Sequence, residues 1–116
     1  MDERRLQEAI ALFNEARWFE AHEAFEDLWR ASRGETRSLY QGIVQACAGL
    51  VKQQRGQPGP AVTLLLRGLG RIEAAPPACC PEIDAAGLAA RLRAILGPVG
   101  AGARFEPPSI PERGRV

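Results

Sequence analysis

A chain of 116 residues, 46% of them hydrophobic, is long enough to bury a core of its own and too short for a second domain. Fifteen basic residues balance fourteen acidic ones, so no global field singles out nucleic acid or an anionic membrane as a partner. Three cysteines, an odd number with Cys79 and Cys80 adjacent, argue against a disulfide framework and for a reducing, cytoplasmic setting. The charged start Met1-Asp2-Glu3-Arg4-Arg5 does not read as a signal peptide, and no apolar run reaches the length of a membrane span.

Taken in chain order, the apolar residues predict about five helices and no strand. Residues 2–16 place Leu6, Ala9, Ile10 and Phe13 at helical spacing, with acids near the start, where the helix dipole favours them. After a tight turn, a second helix runs over 18–32 and stops at Gly34. Thr36 is expected to cap a third helix reaching about Arg55. Its apolar positions Leu39, Tyr40, Ile43, Val44, Cys47, Leu50 and Val51 cover more than half the circumference, as in a helix at the centre of a bundle.

The remaining side of that helix carries Gln41, Gln45 and Lys52 beside the small residues Gly42, Ala48 and Gly49. Glycine inside a helix costs about 0.5–1 kcal/mol relative to alanine, so a close neighbour is expected there. That neighbour is another helix of the chain or, as the alternative, a second copy in a weak homodimer. The break Gly56-Gln57-Pro58-Gly59-Pro60 precedes a fourth helix over 60–73, and 74–81 reads as a loop. Asp84 caps a fifth helix that stops at Gly97. The domain division is therefore a helical bundle over 1–97 and a Pro/Gly-rich, extended tail over 98–116, either docked through Phe105 and Ile110 or mobile. The fold class is all-α, a single-domain compact bundle.

The second helix carries the most informative pattern. At about 100° per residue, Trp18, Ala21, Phe25, Leu28 and Trp29 share one arc, with His22 and Glu26 at its edge beside Phe19. Glu20, Glu23, Asp27 and Arg30 point the other way. His22 is the only histidine of the chain. An ionisable pair inside an apolar stripe costs several kcal/mol unless it is paired, hydrogen-bonded or metal-bound.

The order Phe13-Asn14, then Trp18-Phe19-Glu20-Ala21-His22-Glu23, then Glu26 and Trp29, resembles the signature of a bacterial and archaeal family called domain of unknown function 309. Leu39-Tyr40-Gln41-Gly42-Ile43-Val44-Gln45-Ala46 resembles that family's second block, and the break at Gly56 with the leucine run after it is a weaker third match. The likeness spans residues 6–72. It implies a small all-helical fold and singles out Phe13, Asn14, His22, Glu23, Glu26, Trp29, Gln41, Gly42 and Gln45 as positions, without assigning a role to any of them.

Two readings of the cluster follow from its chemistry. In the first, His22 and Glu26 form a buried polar network, completed by Asn14, Gln41 or Gln45 from neighbouring helices and shielded by Trp29; the protein is then a non-catalytic helical module without a cofactor, open to serving as a binding module for a small molecule or a protein. In the second, His22 and Glu26, at i and i+4 on one helical face, converge on a divalent metal ion or act as an acid–base pair, with Glu23 as a third member. The string His22-Glu23-Ala24-Phe25-Glu26 departs from the H-E-x-x-H peptidase motif where the second histidine should stand. No serine sits in a nucleophile elbow and no glycine loop has phosphate-binding spacing. Cys47 reads as a core side chain, Cys79 and Cys80 as exposed loop thiols. Arg30, Arg33 and Arg37 gather near one turn, but the sequence interleaves no aromatic residues with them, so there is no strong sign of nucleic acid.

Overall fold

A computed structural model describes residues 3–113 and shows five helices joined by short turns. They are α1 (Glu3–Asn14), α2 (Trp18–Ala31), α3 (Gly34–Gln54), α4 (Pro58–Ala74) and α5 (Ala85–Gly100), with one 3-10 turn, Pro77–Cys79, before α5. The protein is an all-α bundle. No helix among the described residues is long and apolar enough to cross a membrane.

Each helix packs on the next in the chain, and α3 lies between α2 and α4. Its inner side, Leu39, Ile43, Cys47 and Leu50, is fully buried in a single core that includes residues of every helix. Its opposite side, Gln41, Gln45, Ala48 and Lys52, is only half-buried. Burial of Cys47 removes water from the thiolate form and pushes the thiol far above its ordinary pKa, so it is inert core.

The glycines of α3 do face another helix of the same chain. A Cβ on Gly42 would stand 2.9 Å from the Gly68 carbonyl oxygen, and one on Gly49 2.9 Å from that of Ala61. The small-residue face therefore brings α3 and α4 into backbone contact and leaves no room there for a second copy; Ala48 does not share it.

Two helix ends depart from expectation for local reasons, and a third meets it. Thr36 does not cap α3, which begins two residues earlier at Gly34; its hydroxyl instead donates to the Cys79 carbonyl at 2.6 Å. Asp84 does cap α5, accepting from the Gly87 N–H at 3.0 Å. Helix α5 then runs past Gly97 to Gly100, with Pro98 inside it. A proline crowds the Cβ of the residue before it, and Gly97 has none.

The tail that follows is extended and packed on the bundle. Ile110 is buried, Phe105 packs against the core, and the Ile110 N–H donates to Asn14 Oδ1 at 2.7 Å. The Asp84 N–H donates to the Pro111 carbonyl at 2.9 Å, and Ile83 bridges Glu112. Residues 114–116 of the tail lie outside the described residues.

Helices α1, α3 and α5 all close with the same pair of reversed hydrogen bonds, seen as Arg17 N–H to Leu12 O, Gln57 N–H to Lys52 O and Ala103 N–H to Pro98 O. This closure needs a left-handed residue, and Gly56 (φ 73°) and Gly102 (φ 66°) supply it. At the end of α1 the residue is Ala16, with φ 59°. A left-handed alanine costs about 1–2 kcal/mol, part of which glycine's greater freedom in the unfolded chain would cancel. Ala16→Gly is therefore expected to raise stability by about 0.5–1 kcal/mol in urea denaturation, and a loss would show that Ala16 has a packing role outweighing the strain.

Candidate functional site

Helices α2 and α3 run antiparallel across the two-residue turn Ser32 and Arg33. Two contacts fix their register: the Phe25 and Tyr40 rings meet at 6.1 Å, and the Arg37 guanidinium lies 5.0 Å from the centroid of the Trp29 ring. Glu26 then stands level with Gln41, and His22 with Gln45. Sequence positions far apart in the chain thus share one strip on the outward side of the α2–α3 hairpin. Phe19, with 54% of its surface exposed, continues it beyond His22.

The expected buried network does not form there. His22 and Glu26 are half-buried, no hydrogen bond joins them, and Glu26 instead pairs with Arg30 at 3.6 Å along the helix. The physical reason is the helical angle: Phe25 and Leu28 take the core-facing positions, and His22 and Glu26 fall on the flank, where solvent reaches them. Glu23 is exposed and points away. Asn14 is not a member of the cluster, since its carbonyl oxygen holds the tail at Ile110.

What the strip does contain is unused hydrogen-bonding capacity. The indole N–H of Trp29 and the Gln45 side-chain oxygen are buried and have no partner, and Ser32 Oγ at the turn is in the same state. The side chains of His22 and Gln41 make no hydrogen bond with the described residues either. A fold that needed these polar groups for its own stability would pair them. Among the described residues no three histidine, cysteine, aspartate or glutamate side chains come together as a metal-binding group.

A different polar cluster, which the sequence did not reveal, joins the 75–83 segment to α3. The Tyr40 hydroxyl lies 3.7 Å from Cys80 Sγ, and Cys80 Sγ lies 3.6 Å from Glu82 Oε1. Cys80 is buried, not an exposed loop thiol, while Cys79 is half-buried. Burial, reinforced by the neighbouring cysteine, raises the Tyr40 hydroxyl well above its ordinary pKa, and burial likewise raises both thiols. Such thiols are poor nucleophiles, so this cluster fastens the loop. The spacing of Thr36 and Tyr40, one turn apart, is the only sequence signal that could have located it.

A cleft of about 590 Å³ opens elsewhere, between α5 and the tail, lined by Arg91, Ile95, Pro98, Phe105, Pro107 and Pro108. It is bridged by Arg91, which donates to the Ser109 carbonyl and hydroxyl at 3.1 and 2.6 Å.

The fold and the strip together define a small all-α domain whose α2–α3 hairpin presents histidine, glutamate, tryptophan and two glutamines on one outward face. The family model described as Domain of unknown function (DUF309) matches residues 6–64, just over half of the chain and the whole of that hairpin, and the protein belongs to this family. No curated protein and no solved structure matches it.

Proposed function

We propose that this protein is a non-catalytic binding module of the cytoplasm, and that the outward face of α2 and α3 is its recognition surface. The observation that carries the reading is the pair of buried, unpartnered polar atoms on that face, Trp29 Nε1 and Gln45 Oε1, beside an unbonded His22. Both atoms are shut off from solvent while their side chains are half-buried, so a partner must draw these side chains outward; supplying a complementary donor and acceptor then recovers the free energy of about 1–3 kcal/mol that each such group forgoes. Three free thiols support the cytoplasmic setting. The metal or acid–base reading is weaker, because Glu26 is engaged by Arg30 and no third ligand converges on His22.

Binding surfaces are held at some cost to stability, whereas structural networks contribute to it. His22→Ala and Glu26→Gln are therefore expected to change the unfolding free energy by less than about 0.5 kcal/mol, and Gln45→Leu to raise it by up to about 1 kcal/mol. Urea denaturation of the three variants tests this. Losses of about 2 kcal/mol or more at His22 and Gln45 would make the cluster structural and remove the proposal.

A further inference from the structure

We infer that the partner of this face is the phosphodiester backbone of a single-stranded nucleic acid, an inference that rests on the recognition face just described. The chain is nearly neutral, but its charge is segregated. Residues 33–71 hold six basic side chains and one acid, Glu35, whereas the rest of the chain holds nine basic and thirteen acidic ones. Folding sets Arg37 and Lys52 on the outer side of α3, and Arg71 beside them on α4, where it donates to Ser38 Oγ at 3.3 Å. Arg67 lies one turn before Arg71 on the same exposed side of α4. Arg33, Lys52, Arg55 and Arg67 make no ion pair with the described residues. Glu23, Glu26 and Glu35 are the carboxylates at the margin of this band; Glu26 is already paired with Arg30, and the exposed Glu23 lies one turn from Phe19, at the outer edge.

Unpaired cations on one face attract a polyanion, and what stands among them points to exposed bases. The aromatic residues that the sequence does not interleave with the arginines are interleaved in space. The Arg37 guanidinium lies over the Trp29 ring, 5.0 Å from its centroid, at one end, and exposed Phe19 stands level with Ala48, one turn from Lys52, at the other. Base stacking on arginine planes and aromatic rings is the common device of single-strand binders. Between these ends lie Gln41 and Gln45, amides suited to unpaired base edges, over about 22 Å of α3 from Arg37 to Lys52, the length of several nucleotides. A duplex, with its bases stacked inside, could use the cations but neither the rings nor the amides.

The test is fluorescence anisotropy of the full chain with a short fluorescein-labelled oligothymidylate and the matching oligouridylate, titrated between about 50 and 200 mM salt. The wild type is expected to bind, with a duplex of the same length and polyglutamate both competing poorly. The double variant Lys52→Gln/Arg67→Gln should weaken binding about tenfold or more at the lower salt and reduce the log–log salt slope by about 1.4, for two lost phosphate contacts. Phe19→Ala should weaken it about tenfold with the slope unchanged. The charge-matched double variant Arg5→Gln/Arg104→Gln, away from this face, should bind like the wild type. A preference between the two labelled strands separates RNA from DNA as the source of the phosphodiester.

Equal loss in the charge-matched control, an unaffected Phe19→Ala, or equal or stronger binding of duplex would overturn the inference. Polyglutamate competing as well as the oligonucleotide would assign the face to an acidic protein. If no oligonucleotide binds while His22→Ala and Gln45→Leu remain as stable as expected, the nucleic-acid inference fails alone; large stability losses in those two variants would remove the recognition face itself.

Discussion

Gly68→Ala is expected to destabilise the protein by about 2–3 kcal/mol net and to lower its Tm by about 10 °C. At this position α4 crosses α3 so closely that a Cβ would stand 2.5 Å from the Gly42 carbonyl oxygen and 3.0 Å from the Ala46 nitrogen. Both are backbone atoms of a buried helix, so no rotamer change can relieve the contact and the two helices must separate. Overpacking of this kind costs about 1–3 kcal/mol and occasionally more, and here the separation would loosen Ala61, Leu65 and Ile72 as well. Alanine's better helix propensity returns up to about 1 kcal/mol, which makes the net figure smaller than the clash alone. The same substitution two residues on supplies the control. A Cβ at Gly70 would meet nothing within 4 Å, so Gly70→Ala should gain about 0.5–1 kcal/mol from propensity. Thermal and urea denaturation followed by circular dichroism would measure both. A Gly68→Ala protein as stable as the wild type would mean that α3 and α4 do not meet as described.

Ile110→Ala is expected to cost about 2–3 kcal/mol, although it lies in the glycine- and proline-rich part of the chain. Ile110 is 2% exposed, and its backbone N–H is held by Asn14, which stands 96 residues earlier at the end of α1. The tail is thereby a strap that ties the first helix to the start of the last, where Pro111 accepts from the Asp84 N–H. Asn14→Ala alone is expected to cost about 1 kcal/mol, since the Ile110 N–H loses its acceptor. The two changes act on one strap, so together they should cost less than their sum: once Ile110 no longer anchors the tail, Asn14 has little left to hold. Full additivity in a double-mutant cycle would mean that the two residues act separately, and costs below about 0.5 kcal/mol for each would mean that the tail contributes nothing to stability.

The strap also shows where sequence reasoning succeeds and where it stops. Phe105 and Ile110 stand out as apolar residues in an otherwise polar tail, which is enough to suggest either docking or mobility, but nothing in the sequence says that Asn14 is the acceptor waiting for Ile110. Read as a sequence, Asn14 groups with His22 because both occur in the family signature; in the fold, one holds the tail and the other flanks the α2–α3 face. Helical angle alone places His22 and Glu26 at the edge of the apolar stripe, and there they lie, half-buried. Whether such an edge is sealed depends on what covers it. Here nothing among the described residues does, so His22 and Glu26 are two half-buried groups with separate surroundings.

Five helices, most core-facing residues of the first three, the cap at Asp84 and the all-helical class are legible in the sequence alone. These follow from periodicity and from turn chemistry, which act within a few residues. It also showed that Gly42 and Gly49 require a close neighbour, because a glycine inside a helix is costly without one. That the neighbour is α4, that Cys80 is buried against Tyr40, and that Trp29, Arg37, Gln41 and Gln45 share a face with His22 emerges only from the packed helices. Those relations depend on the register between helices and on which flank each pair leaves uncovered, and both are set by packing over the whole chain, beyond the reach of any local pattern.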